Sequence, residues 1–232
     1  MKAVFFDVDF TLIYPGPTFT GEGYTRFALR HGLHVDAARF DLAVASAAVE
    51  LDGVEDDVYR ADPFVRYAEH VLREMGGEGS GLTPCAKEIY EEWAECRHFD
   101  LYDDVIETFK QLQFMGFSIG LISNTHRCLE AFQSHFGLES LVTYAISSYE
   151  HGYLKPHPTI FREALRSVGI GPRDGLMVGD SMAHDVVGAR RVGMHAVLLV
   201  RSGSYTAPVD NVPIIRTLTE LPSLIQRFDS ST

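Results

Sequence analysis

After about residue 99 the chain alternates short apolar runs with amphipathic segments of helix length, and this alternation restricts the fold more than any other feature. Phe117 to Ile122, Val142 to Ser147, Leu176 to Val178 and Ala196 to Val200 are apolar runs of strand length. Helical segments lie around 105–115, 127–136, 158–168 and 183–192. Each is followed by a glycine (Gly116, Gly137, Gly169, Gly193) suited to a C-terminal cap. Residues 3–8 form one further strand-like run. Short apolar strands alternating with helices predict an α/β fold, a parallel sheet with both faces covered by helices. In such a sheet ligands bind at the carboxyl ends of the strands.

Between the first strand and this alternating region the pattern changes. Leu12-Ile13-Tyr14-Pro15-Gly16-Pro17 is expected to break any regular element. From about 19 to 97 the signals are helical, with no convincing strand. Ala37 to Leu51 is rich in alanine and apolar on one side. Asp62-Pro63 reads as an N-cap followed by proline at the first helical position, with Phe64, Tyr67, Ala68, Val71 and Met75 on one face until Gly76-Gly77. Thr83-Pro84 repeats the start signal for a helix carrying Ile89, Tyr90 and Trp93. The helical block thus interrupts an α/β domain after its first strand.

Composition narrows the function classes. The 232 residues are 46% hydrophobic and 22% charged, close to globular averages, and long enough to bury a sizeable core. Twenty Lys+Arg against 32 Asp+Glu give a net charge of −12, and no basic run breaks that balance, so no nucleic-acid partner is expected. No stretch reaches 18 apolar residues, so no membrane span is expected. Asp7 and Asp9 end the first apolar run far short of an export signal. Cys85, Cys96 and Cys128 form no CxxC pair, and an odd count argues against a disulfide framework; a cytoplasmic compartment is expected.

Polar residues follow four of the predicted strands. They are Asp7-Val8-Asp9-Phe10-Thr11, Ser123-Asn124-Thr125, Lys155 in Gly152-Tyr153-Leu154-Lys155-Pro156, and Gly179-Asp180-Ser181 with Asp185. Each alone has an ordinary structural reading, as a strand-end turn, a helix N-cap or an exposed loop lysine. Together, a parallel sheet brings them to one rim. Several carboxylates there repel unless a cation joins them, and an oxygen-rich site with few protein ligands favours Mg²⁺, with a phosphate completing its shell. A carboxylate nucleophile can take a phosphoryl group and split one hard displacement into two easier ones. The metal and Lys155 would offset charge on the transferring group, a serine hydroxyl would hold its oxygens, and a second carboxylate two residues on could act as acid and then base.

This constellation resembles the haloacid dehalogenase-like hydrolase superfamily over nearly the whole chain. The D-x-D-x-T motif is matched by Asp7, Asp9 and Thr11, the strand-end serine by Ser123 with Asn124, the lysine before proline by Lys155, and the GD-(S/T)-x-x-x-D motif by Asp180 and Asp185. Phe10 departs from the glycine common at that place. The resemblance implies a Rossmann-like core of residues 1–18 and 98–232 and an inserted type 1 helical cap of residues 19–97. It implies Mg²⁺ held by the Asp7 carboxylate, the Asp9 backbone carbonyl and Asp180, with Asp185 in support. It implies catalysis by Asp7, Asp9 and Lys155, and phosphate binding by Thr11, Ser123, Asn124 and Lys155. Dehalogenases of this family lack the second aspartate, so Asp9 favours hydrolysis of a small phosphorylated metabolite, by a monomer or homodimer. Dehalogenase-type, phosphomutase and non-catalytic phosphate-sensing roles are the alternatives. Thr18, Arg26, Arg30, His31, His126 and Tyr14 are candidate substrate contacts.

Overall fold

Parallel pairing puts the first strand in the middle of the sheet. In the computed structural model, which describes residues 1–52, 57–202 and 212–229, six strands run in the order β5-β4-β1-β6-β7-β8. They are β1 (Ala3–Phe6), β4 (Ser118–Ser123), β5 (Tyr144–Ser147), β6 (Gly175–Gly179), β7 (His195–Leu199) and β8 (Ile214–Ile215), and every pairing is parallel. Phe6 stands beside Leu121 on one side and Val178 on the other. All four side chains of β1 are fully buried. Successive side chains point to opposite faces, so both faces of the sheet are covered at its centre. The core beneath the sheet includes Phe5, Ile122, Ile160, Phe161, Met177, Val186 and Leu198.

The helices arise where periodicity and caps agree. Val105–Phe114, Leu129–Phe136 and Pro158–Ser167 bury Val105, Phe109 and Leu112, then Leu129 and Phe132, then Ile160, Phe161, Ala164 and Leu165. Gly137, at φ 67°, ends the second of these in the left-handed conformation that only glycine adopts without cost. The segment expected as a helix over 183–192 differs. Met182–Val187 is π-helical and only Gly188–Arg191 is α-helical.

The chain divides into two compact units, Met1–Tyr14 with Leu101–Thr232, and Pro15–Asp100. Both crossings fall in a two-stranded sheet of β2 (Ile13–Pro15) and β3 (Phe99–Leu101). This corrects the expectation that residues 12–17 form no regular element. Pro15 lacks an amide hydrogen but is the last residue of its strand, and Gly16 N–H continues the pairing to His98 O at 2.8 Å.

The Pro15–Asp100 unit is helical, with Gly21–Arg30, Phe40–Ala47, Asp62–Glu74 and Leu82–Trp93 as its longer helices. Asp62 is the first residue of its helix, one place inside the expected cap. Among the described residues no helix is long and apolar enough to cross a membrane.

Candidate active site

The loop after β1 turns sharply because Phe10 takes φ 62°, a left-handed backbone that a bulky residue rarely adopts. This gives physical content to the departure from glycine at Phe10. The turn is held by Phe10 N–H donating to Ile13 O at 2.8 Å and by Leu12 N–H donating to Val8 O at 2.8 Å. Asp7, on the last peptide tied to the sheet, donates its N–H to Val178 O at 2.9 Å.

Lys155 joins this loop to the one after β6. Its ammonium donates to Asp7 Oδ1 at 2.5 Å and to Asp185 Oδ1 at 2.7 Å, and its side chain is 2% exposed. Asn124 fixes the lysine's backbone: its Oδ1 accepts from Lys155 N–H at 2.7 Å and its Nδ2 donates to Lys155 O at 2.9 Å. Both ends of that amide are thus engaged with the protein. Asn124, expected as a phosphate contact, holds the backbone of Lys155 from both sides.

Asp185 is buried in the π-helical segment, and its Oδ2 accepts from Ser181 N–H at 3.0 Å. Gly179 makes room for it, since a Cβ there would lie 2.2 Å from Asp185 Oδ2. Asp180 completes the cluster: Asp7, Asp180 and Asp185 offer carboxylate oxygens that all lie within 4.8 Å of one another. Asp180 is exposed at the rim, yet desolvation by the surrounding protein, then the negative charges of Asp7 and Asp185, push its carboxyl up to about 8. Burial likewise raises Asp7, against the pull of Lys155. Burial alone would lower the Lys155 ammonium, but the Asp185 and Asp7 carboxylates reverse this and hold it above the usual lysine range.

Two hydroxyls are conspicuous. Thr11 Oγ1, in the loop after β1, and Ser123 Oγ, at the end of β4, are buried without a hydrogen-bond partner, as is Thr108 Oγ1 in the helix Val105–Phe114. Buried hydroxyls are normally satisfied, so the first two, at the site, are donors open to a bound group.

Asp9 lies against a residue that the sequence did not single out. Arg127, 1% exposed, donates from an Nη to Asp9 Oδ1 at 3.0 Å. Burial raises the Asp9 carboxyl, and Arg127 opposes that rise. Arg201, also missed, donates to Thr11 O at 2.7 Å and to Asp104 at 2.9 and 3.0 Å, while its guanidinium lies 3.7 Å over the Tyr102 ring. It braces the carbonyl of the motif threonine.

The remaining candidates are dispersed. His126 is half-buried, and Tyr14 is exposed and packs on Tyr102. In the helical unit, Arg30 and His31 both bind Glu88, at 2.7 and 2.6 Å. Arg26 donates to Pro17 O at 3.1 Å, and Thr18 pairs with His98 at 3.0 Å. Thr18, Arg26 and Arg30 line a cavity of about 210 Å³ with Phe27, Glu92 and His98.

The comparisons agree with this architecture. The chain is 31% identical over 216 residues to the glyceraldehyde 3-phosphate phosphatase of Methanopyrus kandleri, covering 88% of this chain and 86% of that one. It is 32% identical over 151 residues to the phosphoserine phosphatase of Thermus thermophilus, covering 64% of this chain and 59% of that one. The crystal structure of a HAD phosphatase from Thermococcus onnurineus superposes with a TM-score of 0.66 at 26% identity, over 97% of this chain and 98% of that one. A family model described as haloacid dehalogenase-like hydrolase matches residues 1–193, a stretch that includes all four strand-end motifs. The chain therefore belongs to the haloacid dehalogenase-like hydrolases.

Proposed function

We propose that the protein is a Mg²⁺-dependent phosphatase that hydrolyses a small phosphorylated metabolite through an aspartyl-phosphate on Asp7. The observation that carries this reading is the pair of buried, unpartnered hydroxyls, Thr11 Oγ1 and Ser123 Oγ, on the loops that also carry Asp7 and the Lys155 clamp. Phosphoryl oxygens would satisfy both. The phosphatase names of two relatives support the same reaction class. Asp9 favours a phosphate ester over an organohalide, because only an ester's leaving oxygen needs a proton.

The donor set fits a hard divalent cation. Three carboxylates are crowded together, and desolvation, followed by the negative charges of Asp7 and Asp185, raises Asp180, a penalty that such an ion would relieve. The Asp7 carboxylate, the Asp9 backbone carbonyl and Asp180 would hold Mg²⁺, with Asp185 in support, and the ion would supply charge neutralisation for the transferring group. The chain's own residues do the rest. An Asp7 oxygen attacks phosphorus as the ester P–O bond breaks, and Asp9 gives its proton to the departing oxygen. Water then attacks phosphorus and loses a proton to Asp9. The bond from Asp7 to phosphorus breaks, releasing inorganic phosphate and restoring both groups. Burial of Asp9, which raises its carboxyl, suits the acid half of that cycle. Lys155 offsets charge beside Asp7 throughout.

Turnover of p-nitrophenyl phosphate tests the proposal against the non-catalytic phosphate-sensing reading. Activity should vanish with chelator and return with Mg²⁺, while Ca²⁺, with its larger and looser shell, should support it poorly. Undiminished activity after exhaustive EDTA treatment sinks the metal assignment. No turnover of any ester with Mg²⁺ present sinks the enzyme.

We read the Pro15–Asp100 unit as the helical cap that selects the leaving group. Arg26, whose guanidinium lines the cavity of that unit, is the side chain to test. Arg26→Ala should change preference among phosphate esters more than it changes p-nitrophenyl phosphate turnover, as measured by kcat/KM across a panel of phosphorylated metabolites. Uniform loss would contradict a selecting role. We place the protein in the cytoplasm on its cysteine pattern, an odd count with no CxxC pair.

A further inference from the structure

The segment Ser123–Arg127 after β4 does more than supply a phosphate donor. Asn124 clamps the Lys155 backbone, Thr125 Oγ1 accepts from Arg127 N–H at 3.1 Å, and Thr125 O accepts from Ser148 Oγ at 3.4 Å and Tyr149 N–H at 3.3 Å. The segment is thereby fixed at both its second and third residues, and Arg127 projects from an anchored backbone. Its guanidinium is buried and reaches Asp9 Oδ1 across 118 positions of sequence. A buried guanidinium is costly unless it is paired, and its charged hydrogen bond restrains where the Asp9 carboxylate lies.

We propose that Arg127 is a positioning residue for Asp9. It holds the carboxyl group at the angle from which Asp9 meets the departing ester oxygen and then the attacking water. The inference rests on the phosphatase reading, and it assigns Arg127 no contact with the phosphoryl group. An alternative is a plain structural tie between the β1 and β4 loops. That role would affect folding, or all reactions alike.

The test uses phenyl phosphate and p-nitrophenyl phosphate, which are nearly the same size but release phenolates of very different basicity. Arg127→Gln removes the charge. Arg127→Lys keeps it without the planar fork and serves as the comparison should the first variant fold poorly, as thermal melting will show. The burst-phase rate for phenyl phosphate should fall about tenfold more than that for p-nitrophenyl phosphate, short of the roughly 10²–10⁴-fold that losing a proton donor outright would cost, because Asp9 itself remains. Arg127→Lys should show the same imbalance to a smaller degree. In an Asp9→Asn background, either change should add less than about twofold, because residues acting as a unit are non-additive.

Equal losses on both esters that multiply with Asp9→Asn would overturn the proposal. So would a weaker competitive inhibition by inorganic phosphate in Arg127→Lys, which would put Arg127 on the phosphoryl group instead. If Asp9→Asn itself shows no dependence on the leaving group, the acid–base reading of the site fails first. If Asp9→Asn shows it and the Arg127 variants do not, only the role of Arg127 is lost.

Discussion

Asp7→Asn should abolish turnover of every phosphate ester and leave no phosphorylated protein, because the amide cannot form the acyl-phosphate. Asp9→Asn should behave differently. An alkyl phosphate expels a strongly basic alkoxide, so its first step should slow by roughly 10²–10⁴-fold without the proton donor. p-Nitrophenyl phosphate expels a stable phenolate, so its first step should be largely spared. The second step still lacks its base, and phosphate should accumulate on Asp7. Rapid mixing should then record a burst of about one p-nitrophenolate per site followed by a slow rate, as covalent catalysis with a blocked second step requires. Steady turnover without a burst, with both esters equally impaired, would make Asp9 structural.

Lys155→Ala should lower kcat by at least ~100-fold, the scale of losing one preorganised electrostatic stabiliser. One ammonium nitrogen serves Asp7 and Asp185 at once, so its loss leaves two buried carboxylates facing each other. Lys155→Arg should rescue poorly, because a planar fork does not fit a place built for a point charge. The sign of the pH effect follows from the same contacts. Lys155 pulls the Asp7 carboxyl down, so removing it should raise that group further. Attack needs ionised Asp7, so the acid limb of the residual kcat profile should move to higher pH. An unshifted limb with near-normal kcat would place Lys155 outside the reaction.

Much of this molecule was legible in its sequence because its main strands are buried on both faces. Ser118–Ser123 and Gly175–Gly179 are continuous apolar stretches bounded by glycine or polar residues, which periodicity reads well. The shorter pieces escaped for identifiable reasons. Ile214–Ile215 is two residues long, too short to register any pattern, and Ile13–Pro15 sits in a proline-glycine stretch that reads as a break. The π-helical segment Met182–Val187 shares the apolar spacing of an ordinary helix, so periodicity does not tell the two apart.

The site shows the same division. Asp7, Lys155 and Asp185 meet because strand-end residues of a parallel sheet converge, whatever their distance in sequence. Arg127 and Arg201 gave no comparable signal. An arginine shortly after a serine-asparagine pair, or just past a strand such as β7, reads as a solvated side chain, and only the fold brings Asp9 and Thr11 O to them. The bonds of Asn124 to the Lys155 backbone were likewise illegible, since hydrogen bonds to a distant backbone leave no trace in composition.

The central place of β1 also bears on how the molecule is made. Of the six strands it leaves the ribosome first, yet its two neighbours, Ser118–Ser123 and Gly175–Gly179, emerge far later. The wholly apolar Ala3–Phe6 must therefore wait, uncovered, while most of the chain is synthesised. The intervening Pro15–Asp100 unit can condense on its own contacts during that interval, whereas the sheet cannot close until β6 exists. Asp7 meets Asp185 through Lys155 only at that late point, so a half-made chain carries Asp7 without the ammonium and carboxylates that surround it in the finished fold.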